Sequence, residues 1–191
     1  MIRNQLSKPL MLLLVSCIII TGNSNAQSLK INPRTSTMTI YGTTNVHDFK
    51  TKVEQMKGEL VVSSSKKVQS LNIEIPVRSI KSGEKLMDNK TYEAFKDDKY
   101  PTISFQLIDV ASLQITGDDI NVIVNGNLTI AGVTKKISFK TTGKILKPGA
   151  YEFKGSIPLK MTDFKMKPPT AMLGVMKVGD AITLKYDINL E

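Results

Sequence analysis

From residue 37 onward, apolar and polar residues alternate with a period of two through most of the chain. In "LNIEIPV", Leu71, Ile73, Ile75 and Val77 share one face, and Asn72, Glu74 and Pro76 share the other. "TISFQL" repeats the pattern with Ile103, Phe105 and Leu107. "INVIVNGNLTI" extends it over Ile120, Val122, Val124, Gly126, Leu128 and Ile130. "YEFKGSIPLKM" sets Tyr151, Phe153, Gly155, Ile157, Leu159 and Met161 against Glu152, Lys154, Ser156, Pro158 and Lys160, and "AITLKYDINL" ends the chain in the same rhythm. Successive strand side chains point to opposite faces, so each run predicts an antiparallel strand that is dry on one side and wet on the other. Shorter candidates lie at 37–41, 46–52, 56–63 and 135–145.

Turn residues punctuate these runs, as in "TGDD" (116–119), "AGVT" (131–134) and "KPGA" (147–150). The expectation is an all-β, antiparallel fold of about eight strands, an up-and-down barrel or a sandwich. Long uniform strands favour the barrel, because closure removes exposed edges. One segment, 79–101, breaks the rhythm. Its "NKTYEAFK" predicts one or two short helices, with Asn89 as the cap, Pro101 as the stop, and Tyr92, Ala94 and Phe95 to bury. No repeat or linker divides the chain.

Arg3 and Lys8 precede an apolar run, "LMLLLVSCIII" (10–20), and "GNSNA" follows it. Such a run is short for a membrane span and suits a secretory signal peptide, here residues 1–26, leaving a single domain at 27–191. "LVSC" at 14–17 also resembles a lipoprotein box that would lipidate Cys17, but Ile18, Ile19 and Ile20 carry the apolar run past it. Cleavage after Ala26 removes the only cysteine, and with it any disulfide, thiol nucleophile or thiolate metal site.

The 191-residue chain carries a formal charge of +9, almost all from dispersed lysines, and it has no tryptophan. Nucleic-acid sites concentrate charge on one face beside stacking aromatics, so nucleic acid is not an expected partner. A lysine coat keeps sheet edges soluble, and transient contact with anionic membranes stays open. Catalytic groups are sparse. His47 is the only histidine, too few for an imidazole metal site, and Asp48 beside it would point to the opposite strand face. "SGEK" (82–85) matches Ser-x-x-Lys, a pattern that short sequences meet by chance. The expectation is a protein that is not an enzyme, with no catalytic residue, no metal and no cofactor.

The inward faces then become the candidate site. They nominate Ile73, Ile75, Ile103, Phe105, Val122, Val124, Leu128, Ile157 and Leu159, with Phe49 and Phe139 as bulky members and Phe95 from the helical segment. "MTDFKMKPPTAMLGVM" (161–176) adds Met161, Phe164, Met166, Met172 and Met176 on a Pro-broken connection. Methionine adapts to irregular apolar shapes, so this loop either lines a barrel mouth or plugs one end. Periodicity alone leaves two readings: a lumen that holds a hydrophobic small molecule or lipid, or a solid-cored structural or stress-response module that takes no ligand.

Four ordered blocks, "YGTTNVHDF", "IPVRSIKSGEKLMDNKTYEAFKDDKYPTISF", "VNGNLTIAGVTKKISF" and "IPLKMTDFKMKPPTAMLGVMKVGDAITLKYDINL", resemble the YceI-like family across about residues 35–190. Lys165, after "TDF", departs from that pattern, where a small residue is usual. The resemblance implies an extended lipocalin-like barrel in the periplasm that binds a polyisoprenoid or isoprenoid-quinone lipid for transport or storage. It also implies that His47, the Phe95 to Pro101 region and the Met-rich loop surround the mouth or cavity. Monomer and homodimer are both compatible with these features.

Overall fold

The computed structural model describes residues 26–63 and 67–191. The segment read as a signal peptide, with Cys17, lies outside the described residues apart from Ala26. In chain order the strands are β1 (Gln27–Lys30), β2 (Thr37–Thr44), β3 (Asp48–Val53), β4 (Lys57–Val62), β5 (Val68–Pro76) and β6 (Ile80–Lys81). Helix α1 (Lys85–Phe95) follows. Then come β7 (Thr102–Thr116), β8 (Asp119–Ile130), β9 (Val133–Lys147), β10 (Ala150–Lys160), β11 (Thr170–Ala171) and β12 (Met176–Leu190).

Eleven strands form one antiparallel path, β1-β4-β5-β7-β8-β9-β10-β12-β2-β3-β6, and β11 pairs with β12. The sheet curls until its edges are met. At one end Ile31 bridges to Leu190, and Lys30 and Glu191 exchange backbone bonds of 2.8 and 3.0 Å. At the other, β6 pairs with β3 through Val53 and Ile80. The pairing is incomplete along the longest strands: β7 beyond Gln106 and β9 before Thr141 have a ladder on one side only.

The all-β antiparallel expectation holds, but the count of about eight strands is too low. Three short strands, β1, β6 and β11, are too brief to show a period. Pro76 has no N–H for the ladder, and a 3₁₀ turn at Val77–Ser79 splits β6 from β5. Val77 and Met161 therefore lie just beyond strand ends. Strand β7 is longer than the "TISFQL" pattern implied, because register shifts at Leu107/Asp109 and Val110/Ser112 each slip its alternation by one residue.

Helix α1 caps one end of the barrel. It begins four residues before Asn89, with Glu84 at its N-cap, so Asn89 is interior and not a cap. Its end also precedes Pro101: Lys96 adopts left-handed φ 55°, and the Asp97 N–H closes on the Tyr92 carbonyl at 3.1 Å. Buried Asp88 ties the helix start to the strand before it. Its Oδ1 accepts from the Ser82 N–H and hydroxyl, both at 2.7 Å, which places the Ser82 of "SGEK" in a structural bond. Burial pushes the Asp88 carboxyl up, but these bonds and the Lys81 charge outweigh it and hold the group below its ordinary range. Because the folded value is depressed, the stabilisation is present above the unfolded carboxylate pKa and fades as pH falls through the folded one. Asp88→Ala should cost about 1–3 kcal/mol at neutral pH by orphaning the Ser82 N–H. The deficit should shrink below pH about 4, which urea unfolding at several pH values will read.

Candidate apolar cavity

Inward side chains of β5, β7, β8, β9, β10 and β12 surround a cavity of about 440 Å³, within the size range of small-molecule sites. The barrel is therefore hollow and not solid-cored. Leu113 and Ile115 of β7 line it while about half exposed, so it opens to solvent beside the β7–β8 turn. At the opposite end buried Phe95 closes it. Beyond Phe95 lies a second cavity of about 70 Å³, walled by Phe49, Met161, Phe164 and Met166. The two share Ile40, Ile80, Phe95, Ile130, Leu159 and Ile182.

Glycines keep the main cavity open. Gly143 pairs with Phe153 and Gly155 with Tyr186, and each ring lies over its glycine. A Cβ on Gly155 would sit 2.2 Å from the Tyr186 hydroxyl, and one on Gly126 would sit 2.2 Å from Phe105 Cζ. The rings thus rest on a neighbouring strand instead of crossing the lumen. Phe105 meets Phe139 edge-on at 5.7 Å, and Phe139 meets Tyr186 at 6.4 Å, which makes an aromatic band along the wall.

The lining has three polar side chains, Thr141, Tyr151 and Tyr186. The Thr141 hydroxyl donates to the Lys154 carbonyl at 2.9 Å. The Tyr186 hydroxyl is buried without a hydrogen-bond partner. Burial pushes its phenol up, and the nearby Thr141 hydroxyl only partly offsets this. Among the described residues, no group of three or more acidic or histidine side chains gathers to hold a metal.

Of the residues nominated from sequence, Ile73, Ile75, Ile103, Phe105, Val122, Val124, Leu128, Phe139, Ile157 and Leu159 line the main cavity, as does Phe95. Phe49, Met161, Phe164 and Met166 line the second. Two nominees fall outside both. Met176 pairs with Ala171 at the start of β12. His47 is exposed in the β2–β3 turn, where the Thr44 hydroxyl accepts from the Val46 and His47 N–H groups at 3.1 and 3.0 Å and curls the backbone outward. The side chain of Met172 lies outside the described residues. The open mouth is also not where the Phe95 and Met-rich segments lie: Phe95, Met161, Phe164 and Met166 are all buried and close that end. Sequence reading missed Val110, Leu113 and Ile115, which the two β7 bulges return to the inner face, and Ile137, Thr141 and Ile145 of β9.

Fold and cavity together define a hollow, lipocalin-like antiparallel barrel with an apolar lumen. The YceI-like domain model matches residues 29–190, and the chain belongs to that family. Similar solved structures include Burkholderia cenocepacia BcnA, at 20% identity and TM-score 0.67, covering 83% of this chain and 98% of that one. A polyisoprenoid binding domain from Saccharophagus degradans, implicated in plant cell wall breakdown, matches at 14% identity and TM-score 0.69, covering 85% and 97%. The Campylobacter jejuni YceI protein matches at 22% identity and TM-score 0.55, covering 73% and 82%. No curated protein matches the chain significantly.

Two substitutions test the wall. Gly155→Ala should swing Tyr186 into the lumen, cost about 1–3 kcal/mol and reduce uptake of an apolar fluorophore. Adding Tyr186→Ala should restore uptake. Tyr186→Phe removes a polar atom that has no partner, so thermal denaturation should find it neutral or stabilised by up to about 1–3 kcal/mol.

Proposed function

We propose that this protein binds a long hydrophobic ligand of the polyisoprenoid or isoprenoid-quinone class inside the barrel, and carries or stores it in the periplasm after export. The observation that carries the reading is a continuous lumen lined almost wholly by aliphatic and aromatic side chains. Family membership supports it, as does the likeness to a domain described as polyisoprenoid binding. The polar exterior fits a protein in aqueous surroundings. Along β8 and β9 the outward positions include Asn121, Asn125, Asn127, Lys136, Lys140 and Lys144, the inverse of a membrane barrel, whose apolar band faces out.

Burial supplies the affinity. At about 0.8 kcal/mol per CH₂, a five-carbon unit gains roughly 4 kcal/mol before ordering costs. A few units approach the practical ceiling of roughly 20 kcal/mol, so a charged anchor is unnecessary. No bond is made or broken, and the role proposed is non-catalytic. Native mass spectrometry of protein purified from membrane-rich cells, followed by solvent extraction, should release a prenyl lipid. Bare polypeptide that also takes up no added prenyl lipid would overturn the reading. Val124→Trp, which fills the lumen opposite Phe139, should keep the fold while losing about tenfold or more in affinity.

A further inference from the structure

Beyond the cavity, the structure assigns a lipid-bilayer docking surface to the clasp between the β2–β3 turn and the loop leading into β12. Three aliphatic side chains stand out there with no partner in the fold. Val46 is 65% exposed, Val175 is 69% exposed, and Leu173 is fully exposed. Leu173 also takes left-handed backbone, φ 53° and ψ 32°, which Cβ sterics penalise in any residue but glycine. No packing within the molecule accounts for holding a leucine outward in that conformation.

Hydrogen bonds tie the two segments together. Asn45 uses its whole amide to join the two segments: its Nδ2 donates to the Val175 carbonyl at 2.9 Å, and its Oδ1 accepts from the Lys177 N–H at 2.8 Å. Its own N–H donates to the Lys177 carbonyl at 3.1 Å. The loop is anchored below by the Val178 N–H to the Pro169 carbonyl at 3.0 Å, and both residues wall the second cavity. The surface thus adjoins the second cavity.

Charge selects the partner. Lys165, Lys167 and Lys177 are exposed around the apolar tip, and residues 164–179 contain no acid. The flanking acids Asp48, Asp163 and Asp180 keep their charge, Asp180 while accepting from the Thr162 N–H and hydroxyl at 2.8 and 2.7 Å, but exposed Lys50 and Lys160 join the three lysines and cations stay in excess. Apolar side chains at a tip inside a lysine collar are the chemistry of an interfacial anchor for an anionic bilayer.

The test is flotation of the chain from Gln27 on, which holds every element of the barrel and omits the apolar run at 10–20. The probes are vesicles of phosphatidylcholine with and without phosphatidylglycerol. Wild type should float with the anionic vesicles and release as salt rises. Leu173→Ser with Val175→Ser should weaken binding by about tenfold or more. Asn45→Ala should also weaken it, with the melting curve as a check on folding. Leu113→Ser with Ile115→Ser, at the open mouth, should bind vesicles as wild type does. Absence of vesicle binding, loss only in the mouth variant, or a dimer in solution that Leu173→Ser breaks while vesicles stay bare would each overturn the assignment. Ligand loading is read separately by mass spectrometry, so failure here leaves the cavity proposal standing.

Discussion

The structure depends on keeping a β-barrel hollow, which close packing opposes. Interiors of folded domains reach crystal-like density, and a small antiparallel barrel is narrow enough for its own side chains to fill much of it. This chain keeps the space by laying rings on glycines. Phe105 covers Gly126, Phe153 covers Gly143 and Tyr186 covers Gly155. Each ring buries its area against the neighbouring strand, gaining wall contacts without entering the lumen. Aliphatic side chains of modest reach supply the rest of the wall, and no tryptophan is present to bridge it.

A hollow core needs support at its ends. One end is built as a plug, with Phe95, Met161, Phe164 and Met166 packed under α1 and the following turns. Polar bonds hold that plug: Ser82 to Asp88, Arg78 Nε to buried Asp97 at 2.6 Å, and Lys81 to the Tyr92 hydroxyl at 2.6 Å. These directional bonds favour one geometry where methionines alone would tolerate several. The other end has no such cover, and Leu113 and Ile115 reach solvent there.

Much of this was legible in the sequence, and the failures have identifiable causes. Strand β8 was plain because its period of two runs unbroken from Ile120 to Ile130, with every inward residue buried. Strand β7 was half legible. Past Leu107 its two bulges place Val110, Leu113 and Ile115 on the inner face at spacings of three, three and two, a pattern no fixed period predicts. The helix boundaries were missed because Glu84 at the N-cap makes no side-chain cap bond while Asp88, inside the helix, reaches back to Ser82, and the stop is a left-handed Lys96, a residue with no special preference for that conformation. His47 drew notice for its chemistry, yet its place follows from Thr44, whose hydroxyl curls the turn away from the lumen.

The polar contents of the lumen bear on how a ligand would be chosen. Thr141 has committed its hydrogen to a backbone carbonyl, and the Tyr186 hydroxyl lies flat and covered over Gly155. Neither offers an accessible donor to a guest, and the third polar side chain, Tyr151, stands beside Ile145 toward the open end, so a polar head group entering the deeper wall would lose its hydration and regain little. An amphiphile is then placed by its tail, with the head excluded to an end of the barrel. Selectivity on these terms is a matter of tail length and shape against a wall that cannot fill itself. Discrimination of that kind is graded, a matter of methylenes, whereas rejection of a missing polar group is sharp only where a buried site is built to bond it.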